Sequence, residues 1–198
     1  MNYFDCNPYT LNEGERIELL KDFVVFSDYD GPLALVTSDE KTNKGKLFGL
    51  WFGLDKFKDY TQYHEACKIL LSDEDSPNIL WLYTQNLPKR VSDMYNLGYK
   101  ERAFEAANIL GTLTTDEKEG FEQFIELFDS LDYDRFNEYY VGKYLDKEHF
   151  ADSYISRNPS CYDFYTKTLG ASDMSEIAEC MFECGFFLYK NGHVFIPW

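Results

Sequence analysis

The segment Phe186–Pro197, FFLYKNGHVFIP, decides the architecture of the C-terminal end of the chain. It contains two apolar runs around Asn191 and Gly192, and an Asn-Gly pair in that setting is the strongest short-range signal for a β-hairpin with a type I′ turn. The residues before it have the apolar spacing of a helix, which we expect to begin after an N-cap at Ser172 and to end at Gly185. This region therefore predicts helices beside a small antiparallel sheet.

Upstream of that helix, three more helices are predicted between residues 114 and 170. Each is predicted from an N-cap residue that is followed by apolar residues at helical spacing. The predicted N-caps are Thr114, which would form a capping box with Glu117, or alternatively Thr115 alone, and then Asp146 and Ser160. The three helices are expected to end near Leu131, Tyr154 and Gly170.

The N-terminal half combines strands with helices. Apolar runs predict strands at 33–37, 46–54 and 79–83, and a polar hairpin connection at 38–45 joins the first two. Apolar spacing predicts helices at 60–71, 92–97 and 100–110, after a short N-terminal helix with a capping box at Asn12 and Glu15. Strands and helices in this order predict an α+β protein.

These changes of pattern divide the chain into two to three small subdomains with short joints, preceded by an extension. The predicted parts are an N-terminal extension with a short helix at 1–31, a small α/β subdomain at 32–88, a helical middle at 89–113, and an acidic C-terminal α+β subdomain at 114–198. The last part would contain helices and the β-hairpin.

The chain is strongly acidic, with 35 Asp and Glu against 19 Lys and Arg and a net charge of −16 over 198 residues. Residues 111–198 hold 17 of these acids and 7 of the bases, so most of the excess lies in the C-terminal part. A surface of this sign repels phosphate backbones and anionic membranes. We therefore expect basic protein partners, and neither nucleic acid nor a membrane as a direct partner.

Cysteine usage and the absence of known catalytic patterns narrow the function classes further. Five scattered cysteines indicate reduced thiols and a cytoplasmic protein rather than a disulfide framework. The sequence contains neither a glycine-rich phosphate loop nor a G-x-S-x-G motif. Cys180, Cys184 and His193 could bind zinc, but cysteines four residues apart on an apolar helix face are usually core residues. We expect no enzyme activity, no catalytic residue, no cofactor and no metal.

Residues 116–138 contain nine acids and two bases, and their apolar residues recur at helical spacing. On the other side of this helix, a stripe of four acids brings like charges together at a cost in stability. The stripe consists of Glu119, Glu122, Glu126 and Asp129. Residues 116–129 would rise about 21 Å, over which one strand of B-form DNA carries about six charges. The six acids in that stretch make the helix a candidate phosphate mimic, and a merely solvated acidic face is the alternative.

Three segments, taken in order, resemble the ArdA family of antirestriction proteins. They are Asn43–Trp51, NKGKLFGLW; Phe136–Ala151, FNEYYVGKYLDKEHFA; and the ending from Ile177–Glu179 through Gly185 to Asn191–Phe195, NGHVF. Each segment consists chiefly of glycines and aromatic residues at turns, and the resemblance extends from about Leu33 to Phe195.

The resemblance implies an elongated homodimer, encoded by mobile genetic elements, that mimics B-form DNA and competitively inhibits type I restriction–modification enzymes in their basic groove. The alternative is an acidic adaptor for another basic DNA-binding protein. The candidate carboxylates that would stand in for phosphates are Asp116, Glu117, Glu119, Glu122, Glu126, Asp129, Asp132, Asp134, Glu138, Asp146, Glu148 and Asp152. The candidate dimer surface is the aromatic C-terminal hairpin with Phe186, Phe187, Phe195 and Trp198.

Overall fold

The computed structural model describes residues 10–25, 28–45 and 48–197. The chain forms two compact units, one up to Leu113 and one from Thr114 onward. Each unit contains a three-stranded antiparallel sheet with helices, so the predicted α+β class is confirmed. Among the described helices, none combines the length and the apolar character needed to cross a bilayer.

The first unit has five helices and three strands in its described part. They are α1 (Glu13–Leu20), β1 (Leu33–Ser38), α2 (Asp39–Asn43), β2 (Leu50–Gly53), α3 (Tyr60–Leu70), β3 (Ile79–Gln85), α4 (Lys89–Asn96) and α5 (Lys100–Leu110). The sheet has the order β2-β1-β3, with both pairs antiparallel. The predicted strands at 33–37 and 79–83 and the helices at 60–71 and 100–110 are confirmed within one or two residues.

The polar connection between the first two strands is not a simple hairpin loop. Ser38 accepts a hydrogen bond from the backbone N–H of Lys41 and thereby caps the short helix α2, which occupies most of the predicted loop. β2 begins only at Leu50 rather than at Lys46, and residues 46 and 47 lie outside the described part. The predicted connection does join two neighbouring antiparallel strands, but it contains a helix, because Ser38 acts as an N-cap.

The core of the first unit is built around three hydrogen-bonded aromatic residues. The indole N–H of Trp81 donates to the hydroxyl of Tyr63 at 2.8 Å, and this hydroxyl lies 3.0 Å from that of Tyr95. The rings of Trp81 and Tyr95 stack at 3.9 Å. All three residues are fully buried, and their polar atoms are satisfied by one another, which removes the cost of burying them.

A partly buried ionic cluster links α1 and α2 to the segment that follows α3. Arg16 on α1 donates to Asp73 Oδ1 at 2.8 Å, and the ammonium of Lys41 on α2 donates to Asp73 Oδ2 at 2.7 Å. Lys41 also lies 3.4 Å from Glu74, which accepts a hydrogen bond from the hydroxyl of Ser38. The paired cations hold the pKa of Asp73 at about 2, even though its partial burial acts in the opposite direction.

The second unit has five helices and three strands in its described part. They are α6 (Thr115–Phe128), α7 (Tyr133–Tyr139), β4 (Tyr140–Lys143), α8 (Lys147–Arg157), α9 (Pro159–Asp163), α10 (Met174–Glu183), β5 (Leu188–Lys190) and β6 (His193–Phe195). A π-helical turn at Phe164–Thr168 continues α9. The sheet has the order β4-β6-β5, again antiparallel.

The C-terminal hairpin forms as the Asn-Gly pair predicts. Asn191 has a φ of 51° and Gly192 a φ of 89°, and a type I′ turn requires positive φ at both of these positions. The predicted capping box of Thr114 with Glu117 and the cap at Asp146 are also confirmed. The last helix is capped by Asp173 instead of Ser172, because the Asp173 carboxylate accepts the backbone N–H of Glu176.

The acidic helix is shorter than predicted. α6 ends at Phe128, since Asp129 adopts a left-handed backbone with a φ of 49° at the C-cap. The chain then starts α7, with Asp132 as its N-cap, and continues directly into β4. A single helix through Leu131 was therefore wrong, and sequence analysis did not predict α7 or β4.

Two groups of apolar residues form the core of the second unit. On α6, Phe121 and Phe124 are fully buried and lie 5.2 and 5.7 Å, ring to ring, from Phe136 of α7. The other group joins α8, α10 and the hairpin around Phe150 and Met181. The helices α7 and α8 therefore have their apolar sides in the core, which leaves their acidic residues at the surface.

Candidate acidic binding surface

The second unit carries an almost fully exposed set of carboxylates. Residues 114–198 contain 17 acids and 7 bases, a net charge of −10. Sixteen of the 17 acidic residues are exposed, and Glu117 is half-buried. The potential of this surface is therefore strongly negative, and basic groups are its natural ligands.

The structure distributes the twelve candidate carboxylates over three helices and their caps. On α6 lie Asp116, Glu117, Glu119, Glu122 and Glu126, with Asp129 at its C-cap. On α7 lie Asp134 and Glu138, with Asp132 at its N-cap. On α8 lie Glu148 and Asp152, with Asp146 at its N-cap.

Three of the candidates also stabilise helix N-termini. The carboxylate of Glu117 accepts the backbone N–H of Thr114 at 2.8 Å and its hydroxyl at 2.7 Å, which lowers the pKa of this carboxyl. Asp132 accepts the N–H of Arg135 at 3.0 Å, and Asp146 accepts that of His149 at 2.7 Å. The bonds to Glu117 favour its ionised form, so this capping residue remains part of the negative surface at neutral pH.

Two lysines of the sheet lie on the acidic stripe of α6. The ammonium of Lys143, on β4, donates to Asp116 Oδ1 at 2.9 Å and to Glu119 Oε2 at 2.6 Å. The ammonium of Lys190, on β5, donates to Glu126 Oε2 at 2.5 Å. The negative charge of the stripe is therefore partly neutralised by lysines of the same unit. The spacing of the acidic residues along α6 gives no indication of these contacts.

Glu122 lies on the stripe between the two lysine contacts. Burial raises its pKa, and the negative charges of Glu119 and Glu126 raise it further. No ion pair is formed by Glu122 with any of the described residues. It is the carboxylate of α6 whose charge is least favoured in the folded protein.

A buried imidazole lies beneath the stripe. His193, on β6, is 1% exposed, and its Nδ1 atom is 3.0 Å from the hydroxyl of Tyr140 on β4. Its Nε2 atom is 3.7 Å from Glu119. Burial lowers the pKa of His193, and the ammonium of Lys143 lowers it further. The imidazole is therefore neutral at pH 7 and adds no positive charge to the surface.

Among the described residues, carboxylates of α7 and α8 differ from those of α6 in that they are not paired with lysines. In the described part of the chain, none of these four exposed carboxylates forms an ion pair: Asp134, Glu138, Glu148 and Asp152. Most basic residues of the unit are held elsewhere. Lys167 pairs with Asp163, Arg157 donates to Tyr144 and Ser153, and Arg135 and Lys147 lie over aromatic rings. Exposed carboxylates without an ion pair to any described residue therefore lie on α7 and α8, as they also do on α10, which carries Glu176, Glu179 and Glu183 and no basic residue.

The possible zinc ligands do not come together. His193 faces Tyr140 and Glu119, whereas Cys180 packs against the apolar group around Phe150 and Cys184 is exposed. In the described ranges, no three His, Cys, Asp or Glu side chains converge in a way that could hold a metal ion.

The aromatic hairpin is mostly core rather than surface. Phe187 and Phe195 are buried, Phe186 is 43% exposed, and Trp198 lies outside the described residues. Phe186 lies 6.3 Å, ring to ring, from Phe164, which is also 43% exposed. Of these four candidates, Phe186 is the exposed aromatic residue in the described part of the chain, and it shares this surface with the π-helical turn.

No protein-family model matches the chain, and neither a curated protein nor a solved structure matches it.

Lys143 and Lys190 are the members of the surface that sequence reasoning missed. The sequence predicts the position of Lys190 in part, because the predicted hairpin places it on a strand beside the Asn191–Gly192 turn. Neither lysine has a sequence signal for its partner, because the contacted carboxylates are distant in the chain.

Proposed function

We propose that this chain is a non-enzymatic DNA mimic that acts in the cytoplasm. It would occupy the basic DNA-binding groove of a type I restriction–modification enzyme and compete with DNA there. One observation carries the proposal, namely that sixteen of 17 carboxylates of the second unit are exposed while most of its basic residues are held in internal contacts. The segments that resemble the ArdA family support the choice of partner.

A comparison of the charge on α6 with the charge on DNA of equal length favours a surface made of three helices over one made of α6 alone. From residue 116 to 128, α6 rises about 18 Å, over which one strand of B-form DNA carries about five charges. α6 offers five acids in this stretch, but Lys118 on the helix and the contacting Lys143 and Lys190 reduce the net charge to −2. α7, α8 and their caps add six acids, against which stand Arg135, Lys147 and Arg157.

We further propose that two copies of the chain associate through the exposed apolar residues near the π-helical turn. These are Tyr162, Phe164, Leu169 and Phe186. Residues 158–172 contain one acid and one base, Asp163 and Lys167, which pair at 2.8 Å. Two copies of a chain with a net charge of −16 repel each other least where such a neutral stretch meets its counterpart.

The test of the proposed function is a competition assay with a purified type I methyltransferase bound to a fluorescent target duplex. The protein is titrated into the complex at low and at high salt. Stoichiometric displacement that weakens steeply with salt is expected, because many charge pairs replace those of DNA. Failure to displace the duplex at low salt would contradict the proposal, and salt-sensitive binding to another basic DNA-binding protein would then favour the adaptor alternative.

Two matched variants locate the contact surface. Glu148→Gln with Asp152→Asn removes two charges four residues apart on α8. Glu179→Gln with Glu183→Gln removes two exposed charges at the same spacing on α10 and serves as the control. We expect the α8 variant to compete roughly tenfold less well than the control. Equal weakening by both variants would show that only the total charge matters.

A further inference from the structure

We infer that Lys143 and Lys190 set the affinity of the α6 face for a basic partner, because they already occupy the carboxylates that the partner would contact. This inference rests on the proposed function and deepens it. It assigns a role in binding strength to two basic residues on an otherwise acidic surface.

The two lysines reach the acidic helix from opposite edges of one sheet. In the order β4-β6-β5, Lys143 lies on one outer strand and Lys190 on the other. Lys143 contacts Asp116 and Glu119, and Lys190 contacts Glu126 two turns further along α6. The stretch from 119 to 126 rises about 10.5 Å. Two of the four carboxylates of the stripe, Glu119 and Glu126, are therefore paired with lysines at once.

The fold positions Lys143 opposite its carboxylates. β4 can approach α6 closely because Gly120 has no side chain, since a Cβ atom there would lie 2.7 Å from the ring of Tyr140. The hydroxyl of Tyr140 also donates to the backbone oxygen of Asp116. Lys143 follows three residues later on the same strand, and its ammonium lies within hydrogen-bonding distance of Asp116 and Glu119.

Lys190 is positioned by the hairpin in a similar way. The side chain of Asn191, in the type I′ turn, donates to Gln123 Oε1 on α6 at 2.8 Å. This bond anchors the turn one helical turn away from Glu126, the partner of Lys190. The contacts of both lysines are therefore consequences of how the sheet is docked on α6.

These ion pairs are exposed enough to exchange with a partner. The side chains are 38% exposed at Lys143 and 32% at Lys190, and their carboxylate partners are between 49% and 65% exposed. Surface ion pairs contribute little to stability. A tethered lysine nevertheless has a high effective concentration at its carboxylate. An incoming arginine or lysine must displace it, so the affinity of the face for the partner is lowered.

The other lysines of the unit provide controls. Lys167 pairs with Asp163 four residues away in the same helical segment, far in sequence from α6. A change of Lys167→Met alters the net charge of the protein by the same amount as Lys143→Met or Lys190→Met. It leaves the contacts of α6 intact, and once sedimentation equilibrium shows that its association state is that of the wild type, it separates a general charge effect from displacement.

The experiment compares K143M, K190M, the double variant and K167M in the duplex-competition assay at two salt concentrations. K143R and K190R keep the positive charge and should compete like the wild type. We expect K143M and K190M each to compete roughly fivefold better than K167M at low salt. The advantage should shrink at high salt because the added contacts are ionic. Equal behaviour of K143M, K190M and K167M would overturn the inference.

A second probe separates this inference from the proposed function. Binding of a fluorescent oligo-arginine peptide is measured for the same variants. If the wild type fails to displace the duplex but K143M and K190M bind the peptide more tightly than K167M, the restriction-enzyme proposal fails and the inference stands. If these two variants bind the peptide no better than K167M, the inference fails whatever the duplex assay shows. Thermal melting of each variant checks that it is folded.

Discussion

The Nε2 atom of His193 lies 3.7 Å from the Oε2 atom of Glu119 and joins the C-terminal hairpin to the acidic helix. The same carboxylate oxygen accepts the ammonium of Lys143 at 2.6 Å. Asp116 on α6 and Tyr140 on β4 complete the set of titratable groups that face the imidazole. A buried histidine and an exposed lysine therefore share one carboxylate, which makes this contact sensitive to pH.

Acidification should destabilise the second unit through His193. Its pKa is lowered from 6.5 in the fold, so the unfolded chain binds the proton more readily. The stability that the neutral imidazole contributes is present above pH 6.5 and is lost as the pH falls through the lowered pKa. We expect His193→Gln to reduce the drop in melting temperature between about pH 7.5 and about pH 5.5. An equal drop in His193→Gln and in the control, which changes the exposed His149 to Gln, would contradict this.

Gly120 should not tolerate alanine, although alanine favours helices. In an exposed helix interior, Gly→Ala stabilises by about 1 kcal/mol. At Gly120 the new Cβ atom would lie 2.7 Å from the ring of Tyr140. We expect a loss of about 1–3 kcal/mol in the free energy of unfolding, measured by denaturant titration. In a Tyr140→Ala background the loss should vanish, and a loss that persists there would assign it to another cause.

Two lysines of α2 should differ sharply in their effect on stability. Lys41 is 8% exposed and pairs with Asp73 and Glu74, whereas Lys44 forms an exposed pair with Glu40. Lys41→Met leaves the buried Glu74 without its cation, and we expect a loss of about 2–3 kcal/mol. Lys44→Met should change stability by less than about 0.5 kcal/mol. Chemical denaturation of both variants checks this, and equal losses would contradict the expected difference between the buried and the exposed lysine.

Removing the charge of Glu122 should stabilise the protein. Its pKa is raised by burial and by Glu119 and Glu126, so its ionised form is disfavoured in the fold at neutral pH. We expect Glu122→Gln to gain roughly 0.2–0.5 kcal/mol at neutral pH. The gain should disappear as the pH falls through the raised pKa, because the wild-type carboxyl is then neutral too. Glu126→Gln, which breaks the pair with Lys190, is the control and should bring no gain.

The dimer proposal predicts a change of molecular mass. Phe164→Ser with Phe186→Ser removes two exposed aromatic side chains from the proposed dimer surface and leaves the acidic residues of α6, α7 and α8 unchanged. We expect the wild type to be a dimer and this variant a monomer in sedimentation equilibrium. The control is Leu145→Ser, which changes another exposed apolar residue, 85% accessible in the β4–α8 connection, and should leave the dimer intact. A wild type that is monomeric would contradict the proposal directly.

Local signals in the sequence predicted the elements that local interactions determine. The capping box of Thr114 with Glu117 begins α6, and the Asn191–Gly192 pair forms the hairpin, because in both cases all interacting groups lie within a few residues. Ser38 carried the same kind of signal, an N-cap before α2, and it was overlooked in a polar stretch. The left-handed Asp129, which ends α6 early, has no comparably strong signal since non-glycine residues rarely adopt that conformation.

The sequence by itself determined the α+β composition, the acidic excess of the second unit and the amphipathic character of α6. Only the tertiary structure decided which carboxylates stay uncompensated. Lys143 is 24 residues from Glu119, and Lys190 is 64 residues from Glu126. Apolar spacing and capping residues report contacts within a few turns of chain, whereas ion pairs at these separations exist only once β4 and the hairpin dock on α6. The net charge of the surface could therefore be predicted from the sequence, whereas the distribution of paired and unpaired carboxylates could not.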